Sequence, residues 1–224
     1  MCIFGVCMLK HIKLNIKHGW IMNKFDKAAP TWDAKERRVK LAEDITSAIM
    51  KKVNVNRYMS VLDVGTGTGL ILLKFHGWAG KLTGADSSQG MLETLKEKAE
   101  QAGINVETLK FDVVSDELPS ENYDLITTGM MLHHLEDIGV FFRKAYAALK
   151  KGGHLCAADL ESEDGSFHDH GAGVHHSGFD KAEIKKAAEE CGFINISVET
   201  AAHTAKERDG EVNNYAVFLL CAEK

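Results

Sequence analysis

No two cysteines stand in CxxC spacing, no apolar run is long enough to cross a membrane, and positive charge is not in excess. Each absence removes a class of function. Cys2, Cys7, Cys156, Cys191 and Cys221 are scattered and odd in number, which fits reduced thiols in the cytoplasm better than a disulfide framework. A net charge of −5 argues against a strong, sequence-independent grip on nucleic acid, so small molecules come forward as partners. Residues 1–21 mix apolar residues with Lys10, His11, Lys13, Lys17 and His18. Their apolar runs are too short for a membrane span, and no small-residue cleavage site follows an apolar core. Met22 opens a more ordinary stretch, and residues 1–22 read as a start-site extension or loosely ordered segment. The 224 residues, 45% of them hydrophobic, suffice for one good core, so residues 23–224 are expected to form one domain.

A fourth absence decides how the glycines are read. Ser60 to Leu70 runs as a β-branched apolar segment, a tight turn and a further apolar segment, Leu70 to Leu73, expected to be helical. Glycine suits such a turn because the backbone bends sharply and comes close to a ligand. Gly65, Gly67 and Gly69 are spaced GxGxG, not the GxGxxG of dinucleotide folds. Asp63 sits two residues before the first glycine, where a pyrophosphate would be repelled. It can order the turn by accepting backbone N–H bonds, or face a cationic ligand. S-adenosylmethionine, with an ammonium and a sulfonium, is such a ligand.

Pro30 to Lys52 has the spacing of an amphipathic helix, placed at about 31–52 ahead of a core at about 58–222. Phe25 and Trp32, at its start, either pack locally or fold over a cofactor. Lys81 to Ala85 reads as a second strand ending in Asp86, whose two oxygens match the width of a ribose diol. Asp86, Ser87 and Ser88 equally suit the start of the helix Gln89 to Ala102. Val106 to Phe111 is a third strand, closing in Asp112 and Val113; Asp112 is either an acceptor for the exocyclic amine of adenine or a surface turn acid. Tyr123 to Thr128 is a fourth, leading into Gly129, Met130, Met131, Leu132, His133 and His134. Asp137 caps the next helix, Lys150-Lys151-Gly152-Gly153 stops it, and His154 to Leu160 is a fifth strand. Such alternation implies an α/β fold with a mostly parallel sheet, helices on both faces and ligands at the strands' carboxyl ends.

Taken in order, VLDVGTGTG, LTGADSSQGML, FDVVSDELP, YDLITTGMMLHHLED and LKKGGHL resemble the motifs of class I S-adenosylmethionine-dependent methyltransferases of the small-molecule type, over roughly residues 25 to 221. The resemblance implies a Rossmann-like, doubly wound seven-stranded sheet with an antiparallel last strand. Gly192 to Val198 and Tyr215 to Leu220 fit as the last pair of strands, behind a helix from Asp180 to Cys191. It also implies transfer of the methyl group of S-adenosylmethionine to a small-molecule acceptor, leaving S-adenosylhomocysteine. Gly65, Thr66, Gly67 and Gly69 would line the methionine moiety and Asp86 the ribose. Ser87 and Met91 would lie beside the adenosine, and Phe111, Asp112 and Val113 at the adenine. Thr128, Gly129 and Met130 would pass under the sulfonium end.

The segment from Gly165 to His176 is dense in histidine, yet it has no helical HxxxH step and no cysteine partner. It is read as a substrate-covering loop, a plain loop or, against the expectation of no metal, a metal site. His133, His134, His168 and His176 are the candidates for acceptor contact or general base. Local packing of His133 and His134 at a helix start is the bland alternative. A monomer or homodimer is expected. Two rival readings stay open: an NAD(P)-dependent oxidoreductase, disfavoured by GxGxG and the lack of a catalytic Tyr-Lys pair, and a non-catalytic cofactor-binding partner protein.

Overall fold

The computed structural model describes residues 24–168, 173–208 and 210–224. The expectation for residues 1–22 lies outside the described residues. Seven strands form one sheet: β1 (Ser60–Val64), β2 (Lys81–Asp86), β3 (Glu107–Lys110), β4 (Tyr123–Gly129), β5 (Leu149–Leu160), β6 (Ile194–Arg208) and β7 (Glu211–Glu223), in the order β3-β2-β1-β4-β5-β7-β6. The pairs β1 with β2, β1 with β4, β2 with β3 and β4 with β5 are parallel, and β7 runs antiparallel to both its neighbours. This is the Rossmann-like sheet expected from the sequence.

Besides the helical residues 24–28, the helices named among the described residues are α1 (Glu36–Lys52), α2 (Gln89–Ala102), α3 (Ile138–Ala148) and α4 (Lys181–Glu190), and they cover the sheet. Central strands are apolar on both faces because each face is buried. Leu62, Ile126 and Leu220 pack with Phe141, Phe142 and Ile184 of α3 and α4. Their alternates Val61, Leu125 and Leu219 pack with Leu41, Ile45 and Ile49 of α1 and Leu95 of α2. Among the described residues no helix is long and apolar enough to cross a membrane.

Four local expectations are corrected. The helix expected after the glycine turn is a single 3-10 turn, Leu72–Phe75. Gly69 and Gly77 hold left-handed backbone at φ +80° and +82°, leaving too few residues between them to repay helix nucleation. The Pro30 to Lys52 helix is split into a 3-10 segment, Ala29–Ala34, and α1, with Lys35 extended between them. Tertiary contacts of Trp32 and Asp33 favour the break: Arg38 Nη1 donates to the Trp32 carbonyl at 2.9 Å, and Asp33 bonds Thr68 and Lys98. The fifth strand begins at Leu149, not His154, because the Gly152 and Gly153 backbones pair with Lys224 at the end of the chain. The last two strands are longer than expected, since Glu199 to Arg208 continue the pairing against Glu211 to Leu219.

One glycine outside the turn fixes the return of the chain toward the strand ends. Gly178 sits at φ +76°, and an added Cβ would lie 2.1 Å from the Glu161 carbonyl oxygen. Gly178→Ala is expected to cost about 1–3 kcal/mol from backbone strain, before that clash is relieved. A urea titration showing an unchanged midpoint would contradict this.

Candidate active site

The carboxyl ends of β1, β2, β4 and β5 meet along one edge, where the glycine turn crosses over β2. Gly65 and Thr66 N–H groups both donate to the Ala85 carbonyl, at 2.8 and 3.0 Å. The Gly67 N–H donates to Asp86 Oδ2 at 2.8 Å, and Ser88 N–H donates to Asp86 Oδ1 at 2.8 Å. Thus Asp86 ties the turn to the start of α2, while Ser88 is the residue that caps that helix, accepting from Met91 N–H. Burial pushes the Asp86 carboxyl up, partly offset by the Ser88 and Gly67 N–H groups.

Asp63 lies beneath the turn and is buried. Its Oδ1 accepts from Thr127 Oγ1 at 2.7 Å. Burial pushes its carboxyl up to about 7, against the pull of the Thr127 and Thr66 hydroxyls. Beside it Gly65 sits at φ +69°, and an added Cβ there would meet Met131 Cγ at 2.6 Å. Gly65 is therefore needed both for its backbone angle and for the close approach of Met131. Gly129 closes β4 against Ile71, and Met130 follows at φ +58°. Thr128 is fully buried and its hydroxyl has no partner among the described residues. Met91 is buried within reach of Gly67, whereas Ser87 is half-buried. Phe111 and Val113 are buried in the core, and Asp112 Oδ1 accepts from Val114 N–H at 2.8 Å as a turn acid does.

An N-terminal strap, residues 24–34, covers this edge. Asp26 accepts from Ser88 Oγ at 2.6 Å and Gly90 N–H at 2.9 Å, and Asp33 accepts from Thr68 Oγ1 at 2.6 Å and pairs with Lys98 at 2.5 Å. Phe25 stands edge-on to Trp32 and to His134, with ring centroids 5.8 and 5.5 Å apart. The packing of Phe25 and Trp32 thus accompanies a segment laid over the glycine turn.

The histidines gather at the β4 and β5 ends. His133 is buried; its Nδ1 lies 2.7 Å from Asp159 Oδ1, and its backbone N–H donates to Asp159 Oδ2 at 3.2 Å. Burial alone would raise the Asp159 carboxyl, but the His133 ring and the Leu160 and His133 N–H groups outweigh it and hold it below the usual range. An ionised carboxylate only accepts, so Nδ1 of His133 carries the proton. His134 and His168 rings lie 4.2 and 4.4 Å from the His133 ring. Desolvation first, and the neighbouring histidines second, push His134 down to about 4 and His168 to about 3. His134 Nδ1 bonds the Gly173 carbonyl at 3.0 Å. His176 is set apart: its ring packs on Phe179, and only its backbone N–H reaches the His133 carbonyl, at 3.4 Å. Among the described residues no three His, Cys, Asp or Glu side chains are arranged to hold a metal ion.

Sequence reasoning missed Asp159, Asp26 and Asp33. Asp159 carried a usable signal, an acid at the carboxyl end of an apolar strand, as at Asp63 and Asp86. The two strap acids carried none, since each acts on a residue distant in sequence.

A model of the methyltransferase domain matches residues 61–153, the span that holds the glycine turn, Asp86, Asp112 and the β4 end. Over this span the chain is similar to methyltransferases. Among its relatives, a demethylmenaquinone methyltransferase of Listeria welshimeri is 30% identical over 141 residues, 60% of each chain. A protein of the same name from Bacteroides fragilis is 31% identical over 148 residues, 62% of this chain and 60% of that one. The chain therefore spans about 60% of the length of those relatives. A solved SAM-dependent methyltransferase from Aquifex aeolicus shares the fold at TM-score 0.63 and 22% identity, covering 90% of this chain and 97% of that one.

Proposed function

We propose that this chain binds S-adenosylmethionine across the ends of β1, β2 and β4 and passes its methyl group to a small-molecule acceptor. The observation that carries the reading is the buried Asp63 and the half-buried Asp86 around a glycine turn with bare peptide groups. Neither is paired with Lys or Arg among the described residues; hydroxyl and backbone groups hold them instead. Acids so held suit a cationic ligand, and the backbone at Gly67 is open to one, since among the described residues an added Cβ would meet only Met91 Sδ, at 3.9 Å. When bound, S-adenosylmethionine supplies a methyl group already activated by its sulfonium.

The chain's own part is to bind, align and exclude water. Each Asp86 oxygen has one N–H partner from the backbone and keeps acceptor capacity for a ribose hydroxyl. Ser87, Met91, Phe111, Asp112 and Val113 are assigned to the adenosine side, and Thr128, Gly129 and Met130 to the methyl-bearing end. The strap shields the site from solvent. The names of the curated relatives support a small-molecule acceptor. Residues 23–224 are assigned to one domain, monomeric or homodimeric, and free thiols at Cys156, Cys191 and Cys221 support a cytoplasmic setting.

Isothermal titration calorimetry tests the cofactor. Binding of S-adenosylmethionine and S-adenosylhomocysteine but not NADH is expected, with affinity reduced at least tenfold in Asp86→Asn, whose amide oxygen can accept one of the two N–H bonds while its nitrogen only donates. Heat with NADH and none with S-adenosylmethionine would replace this reading by the oxidoreductase one.

A further inference from the structure

We propose that the His133 Nε2 atom, aligned by Asp159, receives the proton of a neutral hydroxyaromatic acceptor, a phenol or enol. This rests on the methyl-transfer reading above. The geometry is that of a base held from behind. Asp159 takes the Nδ1 proton and the backbone N–H of the same residue, fixing both tautomer and ring plane. The opposite nitrogen, Nε2, is buried and has no hydrogen-bond partner among the described residues. A buried polar atom without a partner costs about 1–3 kcal/mol, and a ligand hydroxyl removes that cost.

The surroundings select the ligand. His134 and His168 flank His133, Phe25 stands edge-on to His134 at 5.5 Å, and Phe167 edge-on to His168 at 4.8 Å. Rings of this kind stack or stand edge-on to a flat aromatic ligand. The titratable groups facing His133 are Asp159 on β5, His134 beside it and His168 from the loop after β5, with Lys206 of β6 acting on His168. His134 and His168 are neutral near pH 7, so the rings beside His133 carry no charge.

A hydroxyl acceptor needs such a base, because an aromatic hydroxyl keeps its proton near neutral pH; a carboxylate has none to give. In the step, the hydroxyl oxygen bonds the methyl carbon and the carbon–sulfur bond breaks with its electron pair on sulfur. The hydroxyl proton moves to Nε2, leaving an imidazolium against the Asp159 carboxylate. His133 is thus a catalytic residue and Asp159 a positioning residue.

The test uses the full chain, labelled S-adenosylmethionine and ring-matched probes: phenol, catechol, aniline, thiophenol and benzoate. Methylation of phenol or catechol alone is expected, and catechol should shift the His133 imidazole resonances of the S-adenosylhomocysteine-loaded protein. His133→Gln should lower the rate at least 100-fold with S-adenosylhomocysteine affinity within twofold. Asp159→Asn should displace the acidic limb of the pH–rate profile by a unit or more at unchanged acceptor KM. Preference for aniline, thiophenol or benzoate, an unchanged rate in His133→Gln, or neither turnover nor resonance shifts with any probe overturns the proposal. Failure of the parent protein to bind S-adenosylhomocysteine would instead overturn the cofactor reading.

Discussion

Asp63→Asn is expected to be more stable than the parent protein at pH 8 and to bind S-adenosylmethionine at least tenfold more weakly. Burial holds the Asp63 carboxyl near 7 in the folded chain, against an ordinary value of 3.8. Between those values the folded state keeps a proton that the unfolded chain has released. The contribution of this group is therefore full below 3.8 and is lost as pH rises to about 7, at up to about 1.4 kcal/mol per pH unit. Asparagine does not titrate, and its Oδ1 can still accept from the Thr127 hydroxyl. Urea denaturation should thus favour the variant by about 1–3 kcal/mol at pH 8, with the gap closing toward pH 4. Affinity should fall because, in the proposed site, the buried charge toward the cationic ligand is gone. Equal midpoints at pH 8 would show that Asp63 is not held at a cost; unchanged affinity would remove it from the site.

His133→Ala is expected to be the most destabilising change among the site residues, costing about 3–5 kcal/mol at pH 7. The His133 and Asp159 side chains are 2% and 0% exposed and 2.7 Å apart. Truncating the imidazole leaves a buried carboxylate that backbone N–H groups alone must satisfy. In the parent protein Asp159 sits below the usual carboxylate range, so the stability it lends is present above 3.8 and lost as pH falls through its folded value. The variant should behave in the opposite sense and recover stability on acidification, as the carboxylate is neutralised. A companion Asp159→Asn change on the His133→Ala background should restore part of the loss, because the orphaned charge is the main cost. A loss below 1 kcal/mol at pH 7, or no recovery at pH 5, would show that the two side chains do not act as a pair.

Strand-end acids were legible because an acid is rare inside an apolar run. Asp63 and Asp86 stood out from their neighbours, and Ser88 from the pattern of a helix start. Phe111 and Val113 were legible as strand-end residues, but whether they face a ligand or the core depended on which side of β3 is covered. The histidines could be collected from the sequence as candidates, but not ranked. Only packing separates His133, whose ring is clamped by Asp159, from His176, which rests on Phe179.

The amino-acid sequence by itself determined the alternation of strands and helices, the glycine turn and the acids that follow the strands, because hydrophobic period, caps and left-handed glycines act within a few residues of chain. Tertiary structure alone decided the rest. Asp26 meets Ser88 across 62 positions, Asp33 meets Thr68 across 35, and Asp159 meets His133 across 26. Those pairings depend on sheet order and on register between β4 and β5, where a slip of one residue would turn Asp159 to the opposite face. Local patterns hold no record of that register, so the partner of the central histidine emerged only once the strands lay side by side.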